Sequence, residues 1–143
     1  MSNVPLIIGH RGASAHAPEN TLAAFRLAID AGADGVEFDV QLAKDGVPVV
    51  IHDATLKRTG GRKEAVADLT SKELAKIDVG SWFNKKYSKR ANAEFAKETV
   101  PTLAKLLGLL KRSDGLIYIE LKATDADYQA LVEAVCDVIR DSP

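Results

Sequence analysis

Gly35-Val36-Glu37-Phe38-Asp39-Val40-Gln41-Leu42-Ala43-Lys44-Asp45-Gly46-Val47-Pro48-Val49-Val50-Ile51-His52 is the stretch on which the fold turns. Val36, Phe38 and Val40 alternate with Glu37 and Asp39, the period of a strand with one apolar face and one carboxylate face. Asp45-Gly46 is a strong two-residue turn signal, so Pro48–His52 returns as a second strand. The link is far shorter than the roughly 10–12 residues a parallel crossover needs, so the pair is an antiparallel hairpin. With Asp45 and Gly46 as the loop, Lys44 pairs with Val47, and Asp39 lies directly opposite His52 on the same face.

Before the hairpin, Leu6–Gly9 is a short apolar run suited to a strand buried on both faces, leading into His10, Arg11 and Gly12. A helix follows over about Thr21–Ala31. Pro18 and Asn20 mark its start, Leu22, Phe25 and Ile29 form its apolar stripe, and Gly32 stops it. After the hairpin, residues 56–100 are rich in Gly, Lys, Ser and Asn and hold one short helix at Thr70–Ile77, opened by a Thr70/Glu73 capping box. Pro101-Thr102 opens a helix to about Arg112, Leu116–Lys122 is another strand, and a last helix spans about Asp125–Arg140. Strands alternating with helices indicate parallel βαβ units. Three such units are expected, with the hairpin and a basic insertion after the second.

The chain has 143 residues, 46% hydrophobic and 27% charged, with net charge −1, enough for one domain with its own core. Residues 56–100 carry eleven Lys/Arg against six Asp/Glu. That excess reads as a solvated surface segment or as a positive flap that attracts an anionic substrate to an acidic site. The single cysteine, Cys136, is expected to be a buried helical thiol in a reducing compartment. The N-terminal Met1-Ser2-Asn3-Val4-Pro5-Leu6-Ile7-Ile8 lacks a basic leader, and no apolar run approaches the roughly 20 residues of a membrane span. The expectation is a cytoplasmic protein with neither a membrane anchor nor a nucleic-acid partner.

Two like charges on the inward face of a buried strand are costly unless a cation sits between them. The third strand repeats the pattern, with Tyr118, Glu120 and Lys122 on one face and Ile117, Ile119 and Leu121 on the other. Glu37, Asp39 and Glu120 together make an oxygen-rich site suited to Mg²⁺ or Ca²⁺. The competing reading is structural ion pairing, as of Glu120 with Lys122. His10 and His52 are candidates for proton transfer. Arg11 can hold a phosphate oxygen through its guanidinium fork, and Lys122 adds a point charge. His16 reads as plain loop, and Glu19 and Asn20 as helix-start residues, with Glu19 also placed to orient Arg11. Trp82 and Phe83 read as a small satellite core.

Gly9-His10-Arg11-Gly12-Ala13, Ala17-Pro18-Glu19-Asn20-Thr21, Gly35-Val36-Glu37-Phe38-Asp39-Val40 and Lys44–Asp53 together resemble the glycerophosphodiester phosphodiesterase family. The likeness continues through Ala67–Thr70, Gly80–Phe83, Val100–Leu103 and Ile119–Lys122, covering the chain in order to about Lys122. It implies a TIM-type (β/α)₈ barrel, of which residues 1–143 would form a partial domain with a family-specific insertion at about 54–100. It implies Glu37, Asp39 and Glu120 as ligands of Mg²⁺ or Ca²⁺, His10 and His52 as the acid–base pair, and Arg11 and Lys122 as phosphate holders. The implied reaction is hydrolysis of a small glycerophosphodiester to glycerol 3-phosphate and an alcohol. One departure is the helix after Leu103, which carries Ala104 and Lys105 where the family commonly has acidic residues. The larger departure is length, since such a barrel takes about 250 residues. The alternatives are therefore an inactive truncated fragment, an assembly module that pairs through open sheet edges, or a related phospholipase-type barrel.

Overall fold

In the computed structural model, which describes residues 4–111 and 113–142, the hairpin strand Gly35–Leu42 (β2) is the centre of a four-stranded sheet. Its partners are Ile8–His10 (β1) and Leu116–Leu121 (β4), both parallel, and Pro48–Val50 (β3), antiparallel. Val36 pairs with both Gly9 and Ile117, and Val40 pairs with both Val50 and Leu121. A strand has two edges, so β4 takes one whole edge of β2 while β1 and β3 share the other.

Alternation on β2 assigns the two faces. Val36, Phe38 and Val40 join Val50 in the main core, which Phe25, Leu103, Leu106, Leu110, Leu131 and Val135 complete from three helices. Those helices are Leu22–Asp30 (α1), Leu103–Leu110 (α4) and Tyr128–Asp141 (α5). The Phe25 and Phe38 rings meet edge to face with centroids 5.7 Å apart, a favoured aromatic geometry. Helices that follow β1, β3 and β4 in the chain thus pack on one face, and the opposite face, bearing Glu37, Asp39 and Gln41, is left for chemistry.

The helix starts follow their caps. Thr21, not Asn20, is the N-cap of α1: its hydroxyl accepts from the Ala24 N–H and donates to the Pro18 carbonyl. Thr102 caps α4 in the same way, while Arg112, the expected end of that helix, lies outside the described residues, as do Met1–Asn3. The insertion is better built than its composition suggests. The expected capping box opens Ser71–Leu74 (α2), and a further helix, Ser81–Lys86 (α3), is accompanied by three 3₁₀ turns. Leu56, Val66, Leu74, Ile77, Val79 and Val100 pack with Val49 and Ile51 into a second core. Phe83, Phe95, Ala17 and Ala24 form a third, with Trp82 against it, the satellite core expected of Trp82-Phe83.

Three expectations are corrected. The hairpin loop holds three residues rather than two: Ala43 pairs with Val47, and the Gly46 N–H bonds the Ala43 carbonyl. Gly46 sits at φ +73°, a type I turn closed by a left-handed glycine and a bulge. The extra residue slips the register by one, so Val40 faces Val50, and Asp39 is opposite Ile51 rather than His52. Second, β1 starts later than expected, contains His10, and is not buried on both faces. Leu6 and Ile7 are exposed because, among the described residues, β1 pairs only with β2. Third, Cys136 is exposed on α5, whose buried stripe runs through Leu131 and Val135.

Candidate metal centre and its flanking histidines

The carboxylates of Glu37, Asp39 and Glu120 each offer an oxygen, and the three oxygens lie within 4.8 Å of one another. Two come from alternate positions of β2, and the third comes from β4, where Glu120 is paired directly with Asp39. Asp39 is fully buried, and its Oδ1 makes no hydrogen bond. Three carboxylates brought this close, one of them fully buried, repel one another, and a cation among them would relieve that repulsion. An all-oxygen donor set suits a hard divalent ion such as Mg²⁺ or Ca²⁺, so these residues fit such a metal.

Fixed cations hold the cluster together. Arg11 Nε lies 3.2 Å from Asp39 Oδ2, and Lys122 Nζ lies 2.6 Å from Glu120 Oε1 and 3.4 Å from Asp39 Oδ1. The hydrogen bond from Lys122 holds Glu120 below the usual carboxylate range, with a smaller pull from His52. The same bond, with Asp39 behind it, raises Lys122. The ion-pair reading of Glu120 with Lys122 and the metal reading are therefore both met by one arrangement. Asn20 contributes what the sequence reading missed. It sits buried at φ +56°, and its Nδ2 donates to Asp39 Oδ2 at 2.9 Å, so it shapes the site as well as preceding the helix.

The loop after β1 is tightly constrained. Arg11 adopts φ +57°, an uncommon conformation for a side chain of that size, and its N–H bonds the Glu37 carbonyl at 2.8 Å. Gly12 lies against α1, where a β-carbon would come within 2.7 Å of the Ala24 backbone, so only glycine fits. Arg11 Nη1 donates to Glu19 Oε1 at 3.0 Å, the orienting role expected of Glu19. His10 Nε2 lies 3.7 Å from Glu37 Oε2 on an otherwise exposed ring. His16 is exposed in the loop.

His52 reaches the same end of the sheet by a route the hairpin register does not supply. β3 ends at Val50, and the buried Gln41 amide donates to the carbonyls of both Ile51 (3.1 Å) and His52 (2.8 Å). Gln41 is the third inward side chain of β2, and it pins the chain just where alternation stops. The His52 Nδ1 lies 2.7 Å from Asp53 Oδ1. Arg58 hydrogen-bonds Asp53 and, with His52, pulls that carboxyl from its ordinary 3.8 down to about 2, although burial pushes it up. Burial likewise pushes Glu19 up, but Arg58 and Arg11 hold it on balance below its usual range.

An α/β sheet segment that gathers three carboxylates, with His10, Arg11 and Lys122 beside them, at one strand end offers a donor set suited to a hard divalent cation flanked by fixed positive charge. Residues 10–140 match the sequence model of the glycerophosphoryl diester phosphodiesterase family, and the chain belongs to that family. It is 43% identical over 136 residues to a glycerophosphodiester phosphodiesterase of Caldanaerobacter subterraneus subsp. tengcongensis, covering 95% of this chain and 53% of that one. A glycerophosphodiester phosphodiesterase of Bacillus subtilis is 38% identical over 120 residues, covering 84% of this chain and 41% of its own length. Among solved structures, an Oleispira antarctica phosphodiesterase in complex with the product sn-glycerol-3-phosphate superposes with TM-score 0.87 at 34% identity, covering 97% of this chain and 53% of that one. The Agrobacterium tumefaciens glycerophosphodiester phosphodiesterase superposes with TM-score 0.74 at 41% identity, over 96% and 56% of the two chains. The chain thus spans about half the length of the relatives it matches, and its sheet is part of a TIM-type barrel.

Proposed function

We propose that this chain carries the catalytic centre for metal-dependent hydrolysis of small glycerophosphodiesters to glycerol 3-phosphate and an alcohol. The observation that carries the reading is the convergence of Glu37, Asp39 and Glu120, whose carboxylate oxygens lie within 4.8 Å of one another around the fully buried Asp39. In this reading residues 1–143 are part of one barrel domain, with a family-specific insertion at about 54–100.

Glu37, Asp39 and Glu120 would hold Mg²⁺ or Ca²⁺, which when bound would polarise a phosphoryl oxygen. Arg11 and Lys122 bind the anionic diester and offset the charge that grows on its oxygens in the transition state. An ionised Asp53 only accepts hydrogen bonds, so the His52 proton sits on Nδ1 and Nε2 is the working nitrogen. One histidine takes a proton from the attacking oxygen, that of water or of the substrate's own glycerol hydroxyl, as the new P–O bond forms; in the second case water then opens the cyclic phosphate to glycerol 3-phosphate. The other, protonated, gives its proton to the alcohol oxygen as the old P–O bond breaks. Support for Arg11 as the phosphate holder comes from its strained backbone, which aims its side chain into the carboxylate cluster.

The test is release of glycerol 3-phosphate from glycerophosphocholine with Mg²⁺ or Ca²⁺ present, with His52→Ala as control. Metal-dependent release lost in His52→Ala is the expected outcome. Release that ignores chelation, or no release with either ion, sinks the reading for this chain.

A further inference from the structure

We propose that Arg58 is a positioning residue whose guanidinium, gripping Glu19 and Asp53 at once, sets the tautomer of His52 and ties it to the loop that carries Arg11. Arg58 Nε and Nη2 donate to the two oxygens of Asp53 at 2.8 and 2.9 Å. Nη1 and the second Nη2 proton donate to the two oxygens of Glu19 at 2.7 and 2.8 Å. Four of its five N–H donors are thereby used in two bidentate forks, the most directional ion pairing a protein side chain makes. The guanidinium carbon also lies 5.7 Å from the centre of the Trp82 ring, which covers one face of the plane.

Each carboxylate passes the constraint on. Asp53 holds His52 Nδ1, and Glu19 holds Arg11 Nη1, so one side chain from the basic insertion links both sides of the metal centre. A direct phosphate-holding role for Arg58 fits poorly, because its donors are already taken by carboxylates. Asp53 itself is drawn down to about 2, which keeps it an acceptor near neutral pH. Lysine cannot replace this geometry: an ammonium has the charge but not two planar forks.

The proposal rests on His52 as a proton-transfer residue, but its test does not depend on turnover. Nitrogen-15 spectra of the histidine-labelled chain read which ring nitrogen carries the proton. Wild type is expected to show His52 protonated on Nδ1 with a bare Nε2. In Arg58→Met, Asp53 loses its anchor, and His52 moves to a mixture dominated by the Nε2–H form. Arg58→Lys, which keeps the charge and provides a second variant should the first fail to fold, moves in the same direction. Where the wild type turns over, kcat falls about 10–100-fold in Arg58→Met with KM nearly unchanged. A His52 that stays Nδ1-protonated in Arg58→Met, or an Arg58→Lys indistinguishable from wild type, overturns the proposal. A shifted tautomer with no wild-type turnover sinks the hydrolase reading and leaves the positioning role standing.

Discussion

Asp39 concentrates the energetics of the site in one side chain. It is fully buried beside two other carboxylates, and it is held by Arg11, Asn20 and Lys122. Removing one member of a buried charge network leaves the others unpaired, at a cost of about 3–5 kcal/mol. Asp39→Ala should therefore lower the unfolding free energy measured in urea by that amount and abolish the stabilisation that Mg²⁺ or Ca²⁺ gives the wild type. A melting curve unchanged by the substitution would contradict this account. Asp53 makes a second prediction. Its carboxyl is depressed from 3.8 to about 2, so its contribution is fully present above about pH 4 and is lost as pH falls towards 2. Acid unfolding of Arg58→Met should accordingly be shallower than wild type between pH 4 and 2, followed by circular dichroism. At this scale the sequence was legible where local period sufficed: alternation alone put Glu37 with Asp39 and Tyr118 with Glu120. Arg58, Gln41 and Asn20 were not legible, because Arg58 meets Glu19 across 39 positions and neither end carries a local signal of the other.

The hairpin shows how much one residue matters at the level of an element. Asp45-Gly46 correctly announced the turn and its antiparallel sense, but dipeptide identity does not separate a two-residue loop from a three-residue loop closed by a glycine bulge. The slip moves His52 off the face of Asp39, and the structure recovers the histidine only because β3 ends at Val50 and Gln41 ties down the next two carbonyls. Gly46 sets this register at φ +73°, with open space where a side chain would sit. Gly46→Ala should therefore destabilise the fold through backbone strain alone, by about 1–2 kcal/mol. Chemical denaturation checks the size, and a cost near zero would mean the bulge is not what holds the register. The strand and helix order was readable throughout, since buried strands and capped helices carry strong local patterns. The second helix and the 3₁₀ turns of the insertion were not, because each is short and is held by packing of Phe83, Phe95, Leu56 and Val66 rather than by its own periodicity.

Across the whole molecule the sheet has two unequal halves. β2 is paired on both edges, while among the described residues β1 and β4 pair with β2 alone. Their outer sides carry apolar side chains in water: Leu6 and Ile7 are 60% and 68% exposed, and Leu116, Ile117 and Tyr118 are 45%, 43% and 51% exposed. The groove beside β4, lined by Leu107, Leu110, Ile117, Ile119 and Ile139, is similarly apolar. Two unpaired edges with greasy flanks are a template for pairing with another strand, and charge is the usual device that blocks it. Neither edge has that device, since the charged inward residues Glu120 and Lys122 are engaged with each other at the metal centre. The chain studied alone should therefore associate through these edges, and multi-angle light scattering should return a mass above the 15.3 kDa of one copy. Ile117→Lys puts a charge on the β4 flank, away from the carboxylates, and should shift the mass towards one copy without altering the melting response to Mg²⁺ or Ca²⁺. A wild-type chain that runs as a single copy at high micromolar concentration would show that the exposed edges are tolerated in water. In that case the site would have to stand on the three helix-backed strands alone.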